Sequence, residues 1–282
     1  MKVTEAFQKA APALSFEFSP PKTPEQEQHL FAVIGRLKAF RPDFVSVTYG
    51  AMGTTRVKTF AAVRQIKADF GIEPVAHLTC VAATRDDIAR QLDELKQIGI
   101  ENILALRGDP PEGQKDFVPP RDGFKFAKEL IAFIKAKQPG FCLGAAGFPE
   151  APRIEHLKQK IDAGAEYIIT QLFFDNRHYF DYVAACRAAG ITVPIIPGLM
   201  PITSYHQIKK MTQVCGATIP PELLASLEAK QDDVEAIIEL GKEQTVCQAR
   251  QLLAADVPGL HFFVMNQAEP ISTILKELQF AG

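Results

Sequence analysis

A chain of 282 residues, 47% hydrophobic and 23% charged, carries enough apolar sequence for a large core and sits at the upper end of what one domain holds. A formal net charge of -2 with no long run of Lys or Arg gives neither a nucleic-acid footprint nor an anchor for an anionic membrane, which leaves small molecules as the expected partners. Cys80, Cys142, Cys186, Cys215 and Cys247 are far apart and lack a C-x-x-C pair, so reduced structural thiols in a cytoplasm are expected. The first residues, with Lys2, Glu5 and Lys9 among short apolar stretches, lack a signal-peptide core, and no later run is long enough to span a bilayer; a soluble, intracellular protein is expected.

The first predicted strand, Leu14 to Phe18, runs into Ser19-Pro20-Pro21. Thr23 then caps a helix with Pro24 at its first position and Leu30, Ile34 and Leu37 on one stripe, which Arg41-Pro42 stops. Strand two is Phe44 to Tyr49, followed by a helix over Val57 to Phe70 that Gly71 ends. Strand three is Val75 to Cys80, and Thr84 with Asp87 makes a capping box for a helix that runs to Gly99. Strand four, from Asn102, ends in Arg107-Gly108-Asp109-Pro110-Pro111; prolines cannot continue a central ladder, so charge collects where the strand stops. A helix from about Asp122 should carry Phe126, Leu130 and Phe133 inward. Strand five is Cys142 to Phe148, with small residues against which a backbone or ligand can press, and a helix with Ile154, Leu157 and Ile161 ends at Gly164. Strand six is Tyr167 to Phe174, with a helix over Tyr179 to Ala189, and strand seven is Val193 to Leu199. Helices over Tyr205 to Val214, Pro221 to Leu227 and Asp232 to Leu253 precede a last strand, His261 to Met265, and a last helix, Ile271 to Leu278.

Strand and helix alternate about eight times, the count of a closed parallel (β/α)₈ TIM barrel, and residues 1–282 are expected to form one such α/β domain. The rival is an open doubly wound sheet. It lacks the expected G-x-G-x-x-G after strand one, and polar groups close many successive strands rather than two. In a barrel those ends share one rim, bringing Glu17, Thr48, His77, Arg107, Asp109 and Gln171 to one mouth.

Glu17 lies between Phe16 and Phe18, so alternation turns it into that mouth. Desolvation there would raise its pKa and make it a proton donor; the plainer reading is an acid paired with a rim arginine. Asp109 reads equally as a solvated turn aspartate. His77 in an apolar strand reads first as a core histidine, and without a second histidine at metal spacing no metal is expected. Residues 50–55, Gly-Ala-Met-Gly-Thr-Thr, are a weak phosphate-loop candidate. Phe173-Phe174 and Phe262-Phe263 read as core and barrel-wall aromatics rather than stacking platforms.

With these residues in place, the chain resembles the methylenetetrahydrofolate reductases, from about Leu14 to Leu278. The matching motifs are Phe-Glu-Phe-Ser-Pro-Pro at 16–21, Val-Ser-Val-Thr-Tyr-Gly at 45–50, His-Leu-Thr-Cys at 77–80 and Ala-Leu-Arg-Gly-Asp at 105–109. Further along come Asp-Ala-Gly-Ala at 162–165, Ile-Thr-Gln-Leu-Phe-Phe-Asp at 169–175 and Ile-Ile-Pro-Gly at 195–198. The resemblance implies a flavoprotein barrel in which NADH or NADPH reduces FAD and the flavin reduces 5,10-methylenetetrahydrofolate to 5-methyltetrahydrofolate, in one-carbon metabolism leading to methionine. It also implies the short bacterial type, here expected as a homo-oligomer. Glu17 matches the proton donor to the folate nitrogen, a task needing a carboxylic acid kept protonated near neutrality. Thr48, Tyr49, His77, Arg107, Gly108, Asp109 and Phe148 match positions around the flavin, and Lys160 one near its phosphates. Asp109 also faces the pterin in a catalytic role, and Gln171, Gln207, Met211 and Gln267 fall at substrate-binding positions.

Three departures stand out. Phe148-Pro149-Glu150 is followed by Ala151-Pro152-Arg153, a shorter link to the next helix than the family uses; Gln267 follows Asn266 where an arginine is usual; and Met211 stands where close relatives stack a phenylalanine. Two rival readings remain beside the flavoenzyme. One is a barrel that binds nicotinamide and folate with little or no flavin, and the other is a non-catalytic subunit of a larger redox complex.

Overall fold

The structure, a computed structural model, describes residues 1–49, 56–109 and 118–280. The phosphate-loop candidate at 50–55 and the Pro-rich stretch 110–117 lie outside the described residues. Eight parallel strands, β1 (Ala13–Phe18), β2 (Phe44–Val47), β3 (Glu73–Thr79), β4 (Asn102–Leu106), β5 (Cys142–Gly147), β6 (Tyr167–Leu172), β7 (Ile195–Leu199) and β8 (Gly259–Phe263), pair in sequence order. Strand β8 returns to β1, with Ala13 to Glu17 beside Gly259 to Phe263, so the sheet is a closed (β/α)₈ barrel and the open-sheet alternative is excluded. A short helix α1 (Val3–Ala6) precedes β1. Helices α2 (Pro24–Leu37), α3 (Arg56–Gln65), α4 (Arg85–Gln97), α5 (Ala127–Lys137), α6 (Ile154–Asp162) and α7 (Asn176–Ala188) follow the first six strands in turn. Three helices, α8 (Tyr205–Cys215), α9 (Pro221–Ala229) and α10 (Val234–Ala254), separate β7 from β8, and α11 (Ala268–Glu277) ends the series.

The local signals work as their chemistry predicts. Thr23 Oγ1 accepts from Gln26 N at 3.3 Å with Pro24 opening α2. Thr84 and Asp87 bond reciprocally, Asp87 N to Thr84 Oγ1 at 3.2 Å and Thr84 N to Asp87 Oδ2 at 2.9 Å. Most boundaries shift by up to three residues, and two differ by five. The predicted helix over Val57 to Phe70 is α-helical only to Gln65, then makes a π-turn over Ile66–Phe70 before Gly71. The helix expected from Asp122 starts at Ala127, because the Glu129 carboxylate accepts from Lys125 N and Phe126 N and fixes the start there. Phe126 is therefore a cap residue, 43% exposed, and does not point inward.

Period-two alternation divides the core. Phe16, Phe18, Val45, Val47, Leu78 and Ala105 face outward and pack under the helices. Phe44, Val75, Leu104, Cys142, Tyr167 and Ile196 fill the barrel interior, with Val3 of α1 packed against them. Phe7 adds its ring edge to Phe44 at 6.2 Å, and Val3 N donates to Asn102 Oδ1 at 2.8 Å, so the end opposite the strand C-termini is closed. Tyr167 fits only because residue 144 has no side chain: a Cβ there would lie 2.7 Å from the tyrosine oxygen and closer still to its ring. Gly144→Val is expected to cost about 1–3 kcal/mol by overpacking, read as a lower urea midpoint. An unchanged midpoint would mean that Tyr167 swings aside freely.

No helix among the described residues is long and apolar enough to cross a membrane. Among the same residues, no group of three or more His, Cys, Asp and Glu side chains is placed to hold a metal ion.

Candidate active site

The strand C-termini open into a cavity of about 890 Å³, within the range of small-molecule and cofactor sites. Strands β1 and β3 put Glu17 and His77 on its wall, and the residues after β2 and β4 add Thr48, Tyr49 and Arg107 to Asp109. Phe148 after β5, Lys160 on α6 and Gln171 on β6 complete the part of the wall that the sequence singled out. Tyr49 is anchored by donating to Gln91 Oε1 at 3.1 Å, and Gln171 Oε1 accepts from Leu172 N at 2.9 Å. Gly108 has φ +83°, and a Cβ there would come 2.5 Å from Val81 Cγ2, so the sharp exit from β4 requires glycine.

Glu17 is not an isolated acid. Its Oε2 lies 3.4 Å from His77 Nε2 and 3.6 Å from His261 Nε2, and accepts from Ser46 Oγ at 3.4 Å. The partners of this carboxylate are thus two buried imidazoles and a hydroxyl, with no rim arginine among them. Burial alone would push the carboxyl up, but the charge of His77, the bond and charge of His261 and the Ser46 hydroxyl outweigh it, so the group is held below its ordinary value. That reverses the expectation of a carboxyl raised towards neutrality in the ligand-free protein. His77 is pushed down by burial, against the pull of Glu17 and with the repulsion of His261. It is buried, as a core histidine would be, yet its Nε2 points at the acid.

Lys160 Nζ donates to the Ala146 carbonyl at 3.0 Å and lies 5.9 Å from the Phe148 ring centre. No carboxylate pairs with it among the described residues, and burial lowers its pKa to about 8. A half-buried ammonium on a cavity wall, with a carbonyl and a ring as its neighbours among the described residues, fits an anionic group such as a phosphate. The short link after β5 is held in place: Glu150 Oε2 accepts from Thr218 N at 2.9 Å, fastening it to the segment between α8 and α9.

Gln207 and Gln267 do not join this cavity. They line a smaller recess with Ser204 and Pro270, and Phe263 stands in the wall of both spaces. Phe263 is therefore a mouth aromatic, whereas Phe173, Phe174 and Phe262 are core. Met211 is half-buried beside the cluster of Met200 and Tyr205 and lines neither space. Asn266 is committed to structure: its side chain accepts from Ser19 N at 3.0 Å and donates to Ser19 O at 3.1 Å, joining the segments after β1 and β8. Met265 and Asn266 hold φ of +52° and +54° to make that join. Sequence reasoning missed Ser15, Ser46 and His261. The alternation that turned Glu17 inward also turns these inward.

The sequence matches the family described as methylenetetrahydrofolate reductase over residues 2–279. It is 36% identical over 295 residues to methylenetetrahydrofolate reductase (NADH) 1 of Zea mays, covering 98% of this chain and 50% of that one. Identity is also 36% over 264 residues to the 5,10-methylenetetrahydrofolate reductase of Escherichia coli, covering 91% of this chain and 87% of that one. The chain thus spans about half the length of the plant relative and most of the bacterial one. A solved structure from Clostridium thermocellum, described as binding two copies of 5-methyl-5,6,7,8-tetrahydrofolic acid, superposes with TM-score 0.66 over 98% of both chains. At 18% identity that likeness is one of fold.

Proposed function

This chain belongs to the methylenetetrahydrofolate reductase family, and on that premise we propose that it reduces 5,10-methylenetetrahydrofolate to 5-methyltetrahydrofolate with electrons from NADH or NADPH passed through FAD. The observation that carries the reading is Glu17, set between two imidazoles on the wall of a cavity that Lys160 also lines. FAD, when bound, supplies the hydride chemistry. Lys160 and Arg107 are the cations suited to its diphosphate, with Thr48, Tyr49, His77, Gly108, Asp109 and Phe148 as the remaining cofactor contacts.

Glu17 delivers the proton that opens the methylene bridge, and Asp109 and Gln171 orient the pterin. A substrate filling the mouth displaces water from Glu17, which favours its neutral form; the cluster then needs only one proton to arm the acid. Gln207 and Gln267 hold the outer part of folate, with Phe263 in the wall between their recess and the main cavity, and Met211 packs against the cluster of Met200 and Tyr205. The protein works on small molecules in the cytoplasm as a homo-oligomer. The direct test is anaerobic product analysis: 5-methyltetrahydrofolate should form from 5,10-methylenetetrahydrofolate and NADH or NADPH when FAD is present. Consumption of nicotinamide without that product would contradict the reading.

Gln267 is exposed and its side chain caps nothing, so it is free to be exchanged. Gln267→Arg is expected to lower KM for folate and leave kcat near its original value, the pattern of added uniform binding to the acidic tail. The gain should fade with salt, because an exposed pair is screened over about 8–10 Å. An unchanged KM at low salt would place the tail elsewhere.

A further inference from the structure

Strand β6 slips out of register just before it reaches the mouth. Its pairs with β7 run Ile168 beside Ile195 and Ile169 beside Ile196, then resume with Leu172 beside Gly198, so that Thr170 and Gln171 together stand opposite the single Pro197. On its other side β6 pairs with β5 no further than Thr170 beside Gly147. Gln171 is therefore the extra residue of a β-bulge, paired in neither ladder, and such a residue takes its direction from whatever holds the bulge.

The group that holds it is Thr170. This residue is buried, at 1% exposure, and its Oγ1 accepts from Gly198 N at 2.9 Å. A regular parallel ladder continuing from the bond of Ile168 N to the Pro194 carbonyl would bring Gly198 N to a main-chain carbonyl of β6; at the slip it meets this hydroxyl. Space there is short. A Cβ on Gly198 would lie 2.3 Å from the Thr170 carbonyl oxygen and 2.7 Å from the Phe263 ring, so the bulge, Gly198 and Phe263 are packed together. Gln171 then turns back on its own backbone, its Oε1 accepting from Leu172 N at 2.9 Å. Because that donor is a main-chain N–H, the amide must present its oxygen to it, which leaves the two Nε2 protons for the cavity that Thr170 and Gln171 both line.

We infer that Thr170 is a positioning residue for the folate: by holding Gly198, its hydroxyl fixes the bulge from which Gln171 offers its N–H groups to an acceptor atom on the bound ring. The inference rests on the proposed role of Gln171 in orienting the pterin. Valine has nearly the shape of threonine but cannot accept from Gly198 N, so in its place a buried N–H loses its partner and the segment shifts to find another. Gln171, paired in neither ladder, moves with it. Serine keeps the acceptor and should keep the bulge. Thr170 thus acts on the ligand through Gln171, and its loss should matter only while Gln171 is there to be placed.

The test is a double-mutant cycle on the protein as purified with its cofactor, read as the Kd of 5-methyltetrahydrofolate in equilibrium dialysis and as KM and kcat for 5,10-methylenetetrahydrofolate. Thr170→Val should raise Kd and KM by about tenfold, the weight of one neutral hydrogen bond, with kcat moving by less. In a Gln171→Ala background the same substitution should cost no more than about twofold, because residues that act as one unit do not add. Thr170→Ser should stay within about twofold of the unsubstituted protein. If Thr170→Val does not fold, Thr170→Ala runs the same cycle. An equal loss in both backgrounds would make Thr170 part of the scaffold alone and overturns the inference. So does an unmoved Kd with Thr170→Val, or a loss with Thr170→Ser as large as with Thr170→Val. An unsubstituted protein that neither binds nor turns over folate would instead overturn the reading of function on which the inference stands.

Discussion

Glu17→Gln is expected to leave cofactor retention and the nicotinamide half-reaction near their original levels while the folate half-reaction falls by roughly 10²–10⁴, the usual contribution of a positioned general acid. The geometry gives the reason for the split. Glu17 lies among His77, His261 and Ser46, and Gln replaces it with a group of similar shape that accepts the same hydroxyl bond but carries no proton to give. The nicotinamide half-reaction asks nothing of that proton. Rapid-mixing measurement of the two halves separately checks the claim, and a variant that still turns over methylenetetrahydrofolate near the original rate removes Glu17 from the mechanism.

Lys160→Ala is expected to weaken FAD retention by roughly ten- to a hundredfold, since a charge-assisted bond to phosphate contributes about 1.5–3 kcal/mol. A pH dependence follows from the lowered pKa. Below about 8 the free protein offers an ammonium; as pH rises through about 8 the amine becomes neutral, and affinity for the diphosphate should fall. An ordinary lysine, ionised to beyond pH 10, would show no such decline. Equilibrium dialysis of FAD across pH 7 to 9.5 reads both effects. Full retention by the Lys160→Ala protein, or a flat profile in the original, would place the phosphates elsewhere.

The barrel was legible because its signals are local. Thr23-Pro24 and Thr84 with Asp87 mark helix starts, and the alternation Phe16-Glu17-Phe18 turns one acid inward between two outward rings. What Glu17 would meet there was not legible. His261 reaches it only because β8 closes on β1, which sets Ser15 beside a histidine 246 residues away, and no local spacing encodes that closure. The pKa of Glu17 was misjudged for the same reason: burial was readable, the two imidazoles that outweigh it were not. Phe126 was placed inward by its helical spacing to Leu130, but the Glu129 carboxylate starts the helix at Ala127 rather than Asp122, which makes Phe126 the cap and leaves its ring at the surface. The fold also spends both ends of the Asn266 amide on Ser19, a pairing across the β1–β8 closure that no local spacing encodes.

The central claim is that one cavity passes electrons from a nicotinamide to a folate through a bound flavin, and the absorption spectrum of the purified protein tests it most directly. The account predicts a yellow protein whose flavin band bleaches anaerobically with NADH or NADPH and returns when 5,10-methylenetetrahydrofolate is added. A colourless protein that takes up no added FAD, or a bleached band that the folate fails to restore, would contradict it.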